Sequence, residues 1–167
     1  WSVYEPAWQK KYLGTALPTA MSLRAMLGNV MLDVAWSLFE IRMLRDPASD
    51  PNVVWTDITS RYLHIKPHPE MAWWAVRVQL VDAPGYMVNY GLGAVLTAEM
   101  RERTSQAIGP FDAGNPKWYG WLSDQLLVYG SERDTRTLMK SFLGRPPSPR
   151  ALLEQIHRLG AGTQFRS

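Results

Sequence analysis

The stretch from Met21 to Leu44 constrains this chain most, because its apolar residues go almost all the way round a helix. Residues such as Leu27, Val30, Met31, Val34, Trp36 and Phe39 leave one polar line, Asn29, Asp33, Ser37 and Glu40, spaced four, four and three apart. A helix of this kind is central and needs neighbours on several sides. Its polar line must meet water, cations or a polar cavity, since an unpaired buried carboxylate is costly. Salt bridges to arginines such as Arg42 or Arg61 would satisfy it, and so would the lining of a cleft. Thr19, after Pro18, is a suitable cap, and Asp46-Pro47 stops the helix after about Arg45.

The rest of the chain also reads as helices. Trp1, Tyr4, Trp8 and Tyr12 form an amphipathic stripe over Trp1 to Leu13, closed by Gly14. The turn from Asp46 to Pro51 leads into a helix from about Asn52 to Leu63, and prolines make His64 to Glu70 extended or turn-like. The segment from Trp73 to Val81 alternates in part, so it reads as a short helix end or an extended strand. A further helix begins near Pro84 and ends at about Ile108, before Gly109-Pro110. Asn115 to Tyr129, Asp134 to Leu143 and Pro149 to Leu159 follow, the last with Ser148 as its expected cap and a frayed tail from Ala161. No fixed-period repeat and no hairpin chemistry interrupts this pattern, and the expected class is all-α.

Composition narrows the choice of function. A chain of 167 residues with 46% apolar residues can bury one good core, so a single helical domain over 1–167 is expected. It has no eighteen-residue uncharged run to span a bilayer, and no membrane partner is expected. The formal charge of +3 comes from dispersed Lys and Arg, which reads as a solvated surface rather than a nucleic-acid footprint. Without cysteine there is no disulfide or thiolate metal site, and the only histidines are His64, His68 and His157. His64 and His68 are four apart, but Pro67 breaks the helix such a pair would need, and H-E-x-x-H is absent. This chain is therefore expected to bind no metal by itself. A first residue of Trp1 rather than methionine leads us to expect a piece cut from something longer. The eight tryptophans suit core positions, or a surface covered by a partner.

The segment Ala83-Pro84-Gly85-Tyr86-Met87-Val88-Asn89-Tyr90-Gly91-Leu92-Gly93 is the candidate functional stretch. Tyr86, Tyr90, Gly93 and Thr97 follow helical spacing and would share a face, with glycines that let a backbone or ligand come close. Two phenols there suit a cleft wall. Tyrosines at that spacing also suit a core whose hydroxyls find partners at its edge.

The order of these features resembles the C-terminal part of the helical zinc peptidases that include peptidyl-dipeptidase A (the angiotensin-converting-enzyme family) and, more distantly, thimet oligopeptidase and oligoendopeptidase F. The resemblance runs from about Met31 to Leu159 and rests on Trp36-Ser37-Leu38-Phe39-Glu40-Ile41-Arg42, Trp55, Arg61-Tyr62-Leu63, Arg77-Val78-Gln79-Leu80 and Phe142 through Pro149. It implies a multi-helix lobe of a gluzincin-type peptidase. In that family a basic residue and a histidine shortly precede a proline and two tyrosines, which together hold the substrate's terminal carboxylate and the reaction's oxyanion. By resemblance, Arg77 and Tyr86 anchor the peptide end, and Tyr90 and Gln79 donate to the oxyanion. Gln79 stands at the histidine position and cannot exchange a proton, and Asn89 replaces an arginine tied to chloride dependence. The zinc helix and its downstream glutamate are missing, so the resemblance places zinc in the complete enzyme, on an N-terminal lobe that would be this chain's partner alongside the peptide substrate. The alternative expectation is a non-catalytic helical interaction or scaffold domain with a tryptophan-rich partner surface.

Overall fold

The computed structural model describes residues 10–11, 19–109 and 115–162, without the side chains of 19–26 and 159–162. The described residues are helical and contain no strand, as the patterning predicts. The expected helix over Trp1 to Leu13 lies outside them except for Lys10 and Lys11, and so does the tail beyond Gly162. The α-helices are α1 (Thr19–Arg45), α2 (Pro51–Leu63), α3 (Gln79–Asp82), α4 (Val88–Ile108), α5 (Lys117–Gln125), α6 (Thr135–Leu143) and α7 (Arg150–Gly162). The chain divides into two compact units, 25–94 and 1–24 with 95–167.

The 25–94 unit is built on the aromatic face of α1. Trp36 stacks on Trp55 of α2, with ring centroids 4.0 Å apart and planes inclined by 21°, and Phe39 meets the edge of Trp55 at 5.5 Å. Ala35, Ile58 and Met87 complete this core. Burying a side chain such as Ile58 or Met87 contributes about 1.5–3 kcal/mol. Helix α2 starts where Asp50 accepts a hydrogen bond from the Asn52 N–H and Pro51 fills the first turn. It ends at His64, whose φ of +55° is left-handed, with the Ile65 N–H returning to the Thr59 carbonyl. The ambiguous segment after Trp73 is neither a strand nor one helix. It is a 3-10 turn over Trp73–Val76 followed by the single turn α3, and the Trp74 indole N–H donates to Asn52 Oδ1 at 2.7 Å.

In the other unit, Ala98, Met139, Phe142 and Ala151 are buried, and Trp121 lies 5.3 Å from Phe142. Asp134 caps α6 by accepting from the Thr137 N–H; the Thr137 side chain first, and then that N–H, hold its carboxyl below the ordinary range, and Gly144 closes the helix at a φ of +71°. Instead of one helix to Tyr129, α5 stops at Gln125 and a 3-10 turn covers Leu127–Tyr129. Ser148 is not the cap of α7. Its hydroxyl donates to Glu99 Oε1 at 3.3 Å, and the helix starts one residue later than expected, at Arg150. Glu99 is 1% exposed; Arg145 Nη2 donates to its Oε1 at 3.0 Å, and the 2.7 Å contact of Nη1 with Oε2 is ionic, off the hydrogen-bond direction. The hydrogen bond to Glu99 holds Arg145 protonated above its usual range against the effect of burial, and the charges of Glu99 and Glu102 add to it.

Candidate functional site

The tyrosine stretch is a clamped turn followed by a helix, rather than a helix from Pro84 onward. Gly85 has a φ of +91°, a conformation that favours glycine, and α4 begins only at Val88. Tyr86 therefore precedes the helix. Successive N–H groups of Tyr86, Asn89 and Tyr90 donate to the carbonyls of Ala83, Tyr86 and Met87. The two phenol rings still meet, edge to face at 5.8 Å, and they are 46% and 38% exposed. Their hydroxyls make no hydrogen bond among the described residues.

The clamp comes from the polar line of α1. Glu40 is 3% exposed, and its two oxygens accept from the Gly85 N–H at 2.8 Å and the Val88 N–H at 3.2 Å. A side chain from another helix thus satisfies amides that the start of α4 would otherwise leave open. Ser37 Oγ lies 2.9 Å from the Met87 carbonyl and 2.8 Å from the Asp33 carbonyl, sharing one hydrogen between them. Gly91 permits this approach, because a Cβ there would come 2.9 Å from Ser37 Oγ. Among the described residues the salt bridges expected for this line do not form: Arg42 pairs with Asp57 at 2.6 Å, and Ser37 and Glu40 bind backbone instead. The amides that open α4 are nearer partners for a buried carboxylate than an arginine already held by α2.

Arg77 lies over the face of Trp36, its guanidinium carbon 5.1 Å from the ring centroid. Asp33, one turn before Trp36, has its carboxyl pushed above the ordinary range by burial, and the charge of Arg77 pulls it back in part. Gln79 opens α3 and is half-buried, and its carbonyl accepts from the Ala83 N–H. The structure thus brings Tyr86 and Tyr90 together and sets Arg77 against α1. Among the described residues no hydrogen bond or ring contact joins Arg77 or Gln79 to the tyrosines.

A cleft of about 250 Å³ lies beside this stretch, lined by Phe39, Met43, Trp74, Leu80 and Pro84, with Glu40 at its polar end. None of Arg77, Gln79, Tyr86 and Tyr90 lines it. Asp33, Ser37 and Glu40, with Trp36 beside them, are the site's supporting residues. The signal of the three polar ones in the sequence was the polar line itself, which required polar surroundings without naming them.

Among the described residues no three of His, Cys, Asp and Glu are grouped to hold a metal ion. His64 caps α2, and His68 Nδ1 lies 2.8 Å from Glu70, whose carboxyl this hydrogen bond holds below the usual range. No helix among the described residues is long and apolar enough to cross a membrane. Compared with known proteins, the chain matches no family model, no curated protein and no solved structure.

Proposed function

We propose that this chain is the C-terminal, substrate-binding lobe of a zinc-dependent peptidase acting on oligopeptides, with the zinc site on sequence upstream of Trp1. The observation that carries the reading is the exposed Tyr86–Tyr90 pair on a turn fixed by Glu40 and Ser37. Hydroxyls with no partner among the described residues, on a backbone held at three points, suit donation to an incoming oxyanion or peptide group. Arg77 anchors the terminal carboxylate, Tyr86 assists it, and Tyr90 with Gln79 faces the developing charge. Zinc would supply Lewis acidity and an activated water from residues outside this chain. In the full-length polypeptide, zinc-dependent cleavage of an oligopeptide is expected, with Tyr90→Phe lowering kcat about 100-fold. Cleavage unaffected by that change, or no cleavage by the zinc-loaded protein, would sink the reading.

One observation favours the interaction-domain alternative. The segment from Met71 to Val81 exposes Met71, Trp73, Val76, Val78 and Val81, with Val76 and Val81 at 78% and 74%. Such an apolar surface suits a partner. Concentration-dependent association in sizing experiments, lost in Val76→Lys/Val81→Lys, is the outcome this second reading requires.

A further inference from the structure

The cleft beside α1 combines an apolar interior with a carboxylate that has no counter-charge. Its volume is about 250 Å³, and Phe39, Met43, Trp74, Leu80 and Pro84 form much of its wall. Among the described residues Glu40 is the one charged side chain in that lining. Its oxygens accept one N–H each, from Gly85 and Val88, and no arginine, lysine or histidine among the described residues pairs with it. An ionised carboxylate accepts about four hydrogen bonds, so these two leave capacity over. Buried as it is, Glu40 gains more from a cation brought to it than a carboxylate in water would.

The walls select the kind of cation. Phe39 and Trp74 both line the cleft, with ring centroids 6.0 Å apart and planes inclined by 29°. Aromatic faces attract an ammonium as well as another ring. A cavity of about 150 Å³ holds benzene, so this larger one has room for such a ring with a short tail. Leu44 and Val81 belong to the same lining and are exposed, so the cleft is reached from solvent. The lining residues Pro47, Pro51 and Val81 have the exposed Asp46, Asp50 and Asp82 as their neighbours in the chain. Of the arginines next to lining residues, Arg42 is paired with Asp57, which leaves Arg45 against those three acids. The surroundings thus favour a positive ligand.

We propose that this cleft binds an arylalkylammonium ion, its ring against Phe39 and Trp74 and its ammonium on the Glu40 carboxylate. Arg77, Gln79, Tyr86 and Tyr90 do not line the cleft, and binding requires neither metal nor hydrolysis, so this proposal and the peptidase reading fail separately.

The test is a titration of the whole chain with 2-phenylethylammonium, followed at the Trp74 indole N–H in a proton–nitrogen correlation spectrum and assigned through Trp74→Phe. A saturable shift is expected, while the signal of Trp55, which does not line the cleft, stays in place. 2-Phenylethanol, a neutral molecule of the same size, should bind at least about tenfold more weakly, and phenylacetate more weakly still. Leu44→Lys brings a cation to the exposed wall and should weaken 2-phenylethylammonium about tenfold. Glu40→Gln should lower its affinity to that of the alcohol. The Trp55 signal reports whether each variant keeps its core; if Glu40→Gln loses it, Leu44→Lys and the two analogues decide alone. A Trp74 signal unmoved by 2-phenylethylammonium up to about 50 mM, or moved equally by 2-phenylethanol, overturns the proposal.

Discussion

Glu40 and Glu99 are both buried glutamates on long helices, and the two are satisfied in opposite ways. Glu40 receives only backbone N–H groups, from Gly85 and Val88. Glu99 receives side chains, the Arg145 guanidinium and the Ser148 hydroxyl, in a network that Glu102, Arg150 and Glu154 extend across the surface. The first arrangement fixes a backbone path and leaves the nearby tyrosine hydroxyls open. The second ties a loop and a helix start to α4, with Glu99 Oε2 held by the Arg145 charge alone. A buried carboxylate that caps amides is thus a positioning device, and one that pairs with arginine is a fastening.

The contrast can be broken most forcefully at the ion pair. Glu99→Ala takes the buried acceptor away from Arg145 and Ser148, leaving Arg145 only Glu102 at 3.7 Å, and is expected to cost about 3 kcal/mol in urea unfolding. Glu40→Ala removes no charged partner but leaves two half-buried N–H groups without their acceptor, at an expected cost of about 2 kcal/mol, and hydrogen exchange at Gly85 and Val88 should quicken. Equal losses in the two variants, or unchanged exchange at those amides, would erase the distinction. Two glycines of α4 sharpen it further. Gly93 has open space beside it, so Gly93→Ala should gain about 1 kcal/mol from helix propensity. Gly91→Ala should instead lose about 1 kcal/mol, because its Cβ meets the Ser37 hydroxyl engaged with Met87.

The smallest effect is expected at Asp33. Its carboxyl is raised in the folded chain, so its contribution to stability is fully present below the ordinary carboxylate pKa and is lost as pH rises through the raised native value. Asp33→Asn should flatten the stability profile across that window, and an unchanged slope would show that Asp33 is not desolvated.

The all-α class and most helix limits were legible because the local rules there met no competition. Asp50 and Asp134 cap the helices that follow them, and the expected starts at about Asn52 and at Asp134 lie one residue from the observed ones. Ser148 looked equally suitable, but a buried carboxylate 49 residues away drew its hydroxyl off, and no local pattern reports such a rival. The polar line of α1 announced a polar environment. Its acceptors and donors lay 45 to 50 residues further on, in the backbone of a turn whose sequence reads as helix. Tyr86 and Tyr90 were found as a pair for a reason only half right: Tyr90 is helical, whereas the Gly85 turn brings Tyr86 to it.

The stacked indoles of Trp36 and Trp55 have an optical consequence. Rings 4.0 Å apart couple their ultraviolet transitions, so the pair should give an exciton doublet in circular dichroism that isolated tryptophans lack. Among the tryptophans of the described residues, this signal would belong to one contact in the 25–94 unit and would vanish when that contact opens. The unit therefore carries its own spectroscopic label, and its unfolding can be followed separately from the rest of the chain without adding a dye.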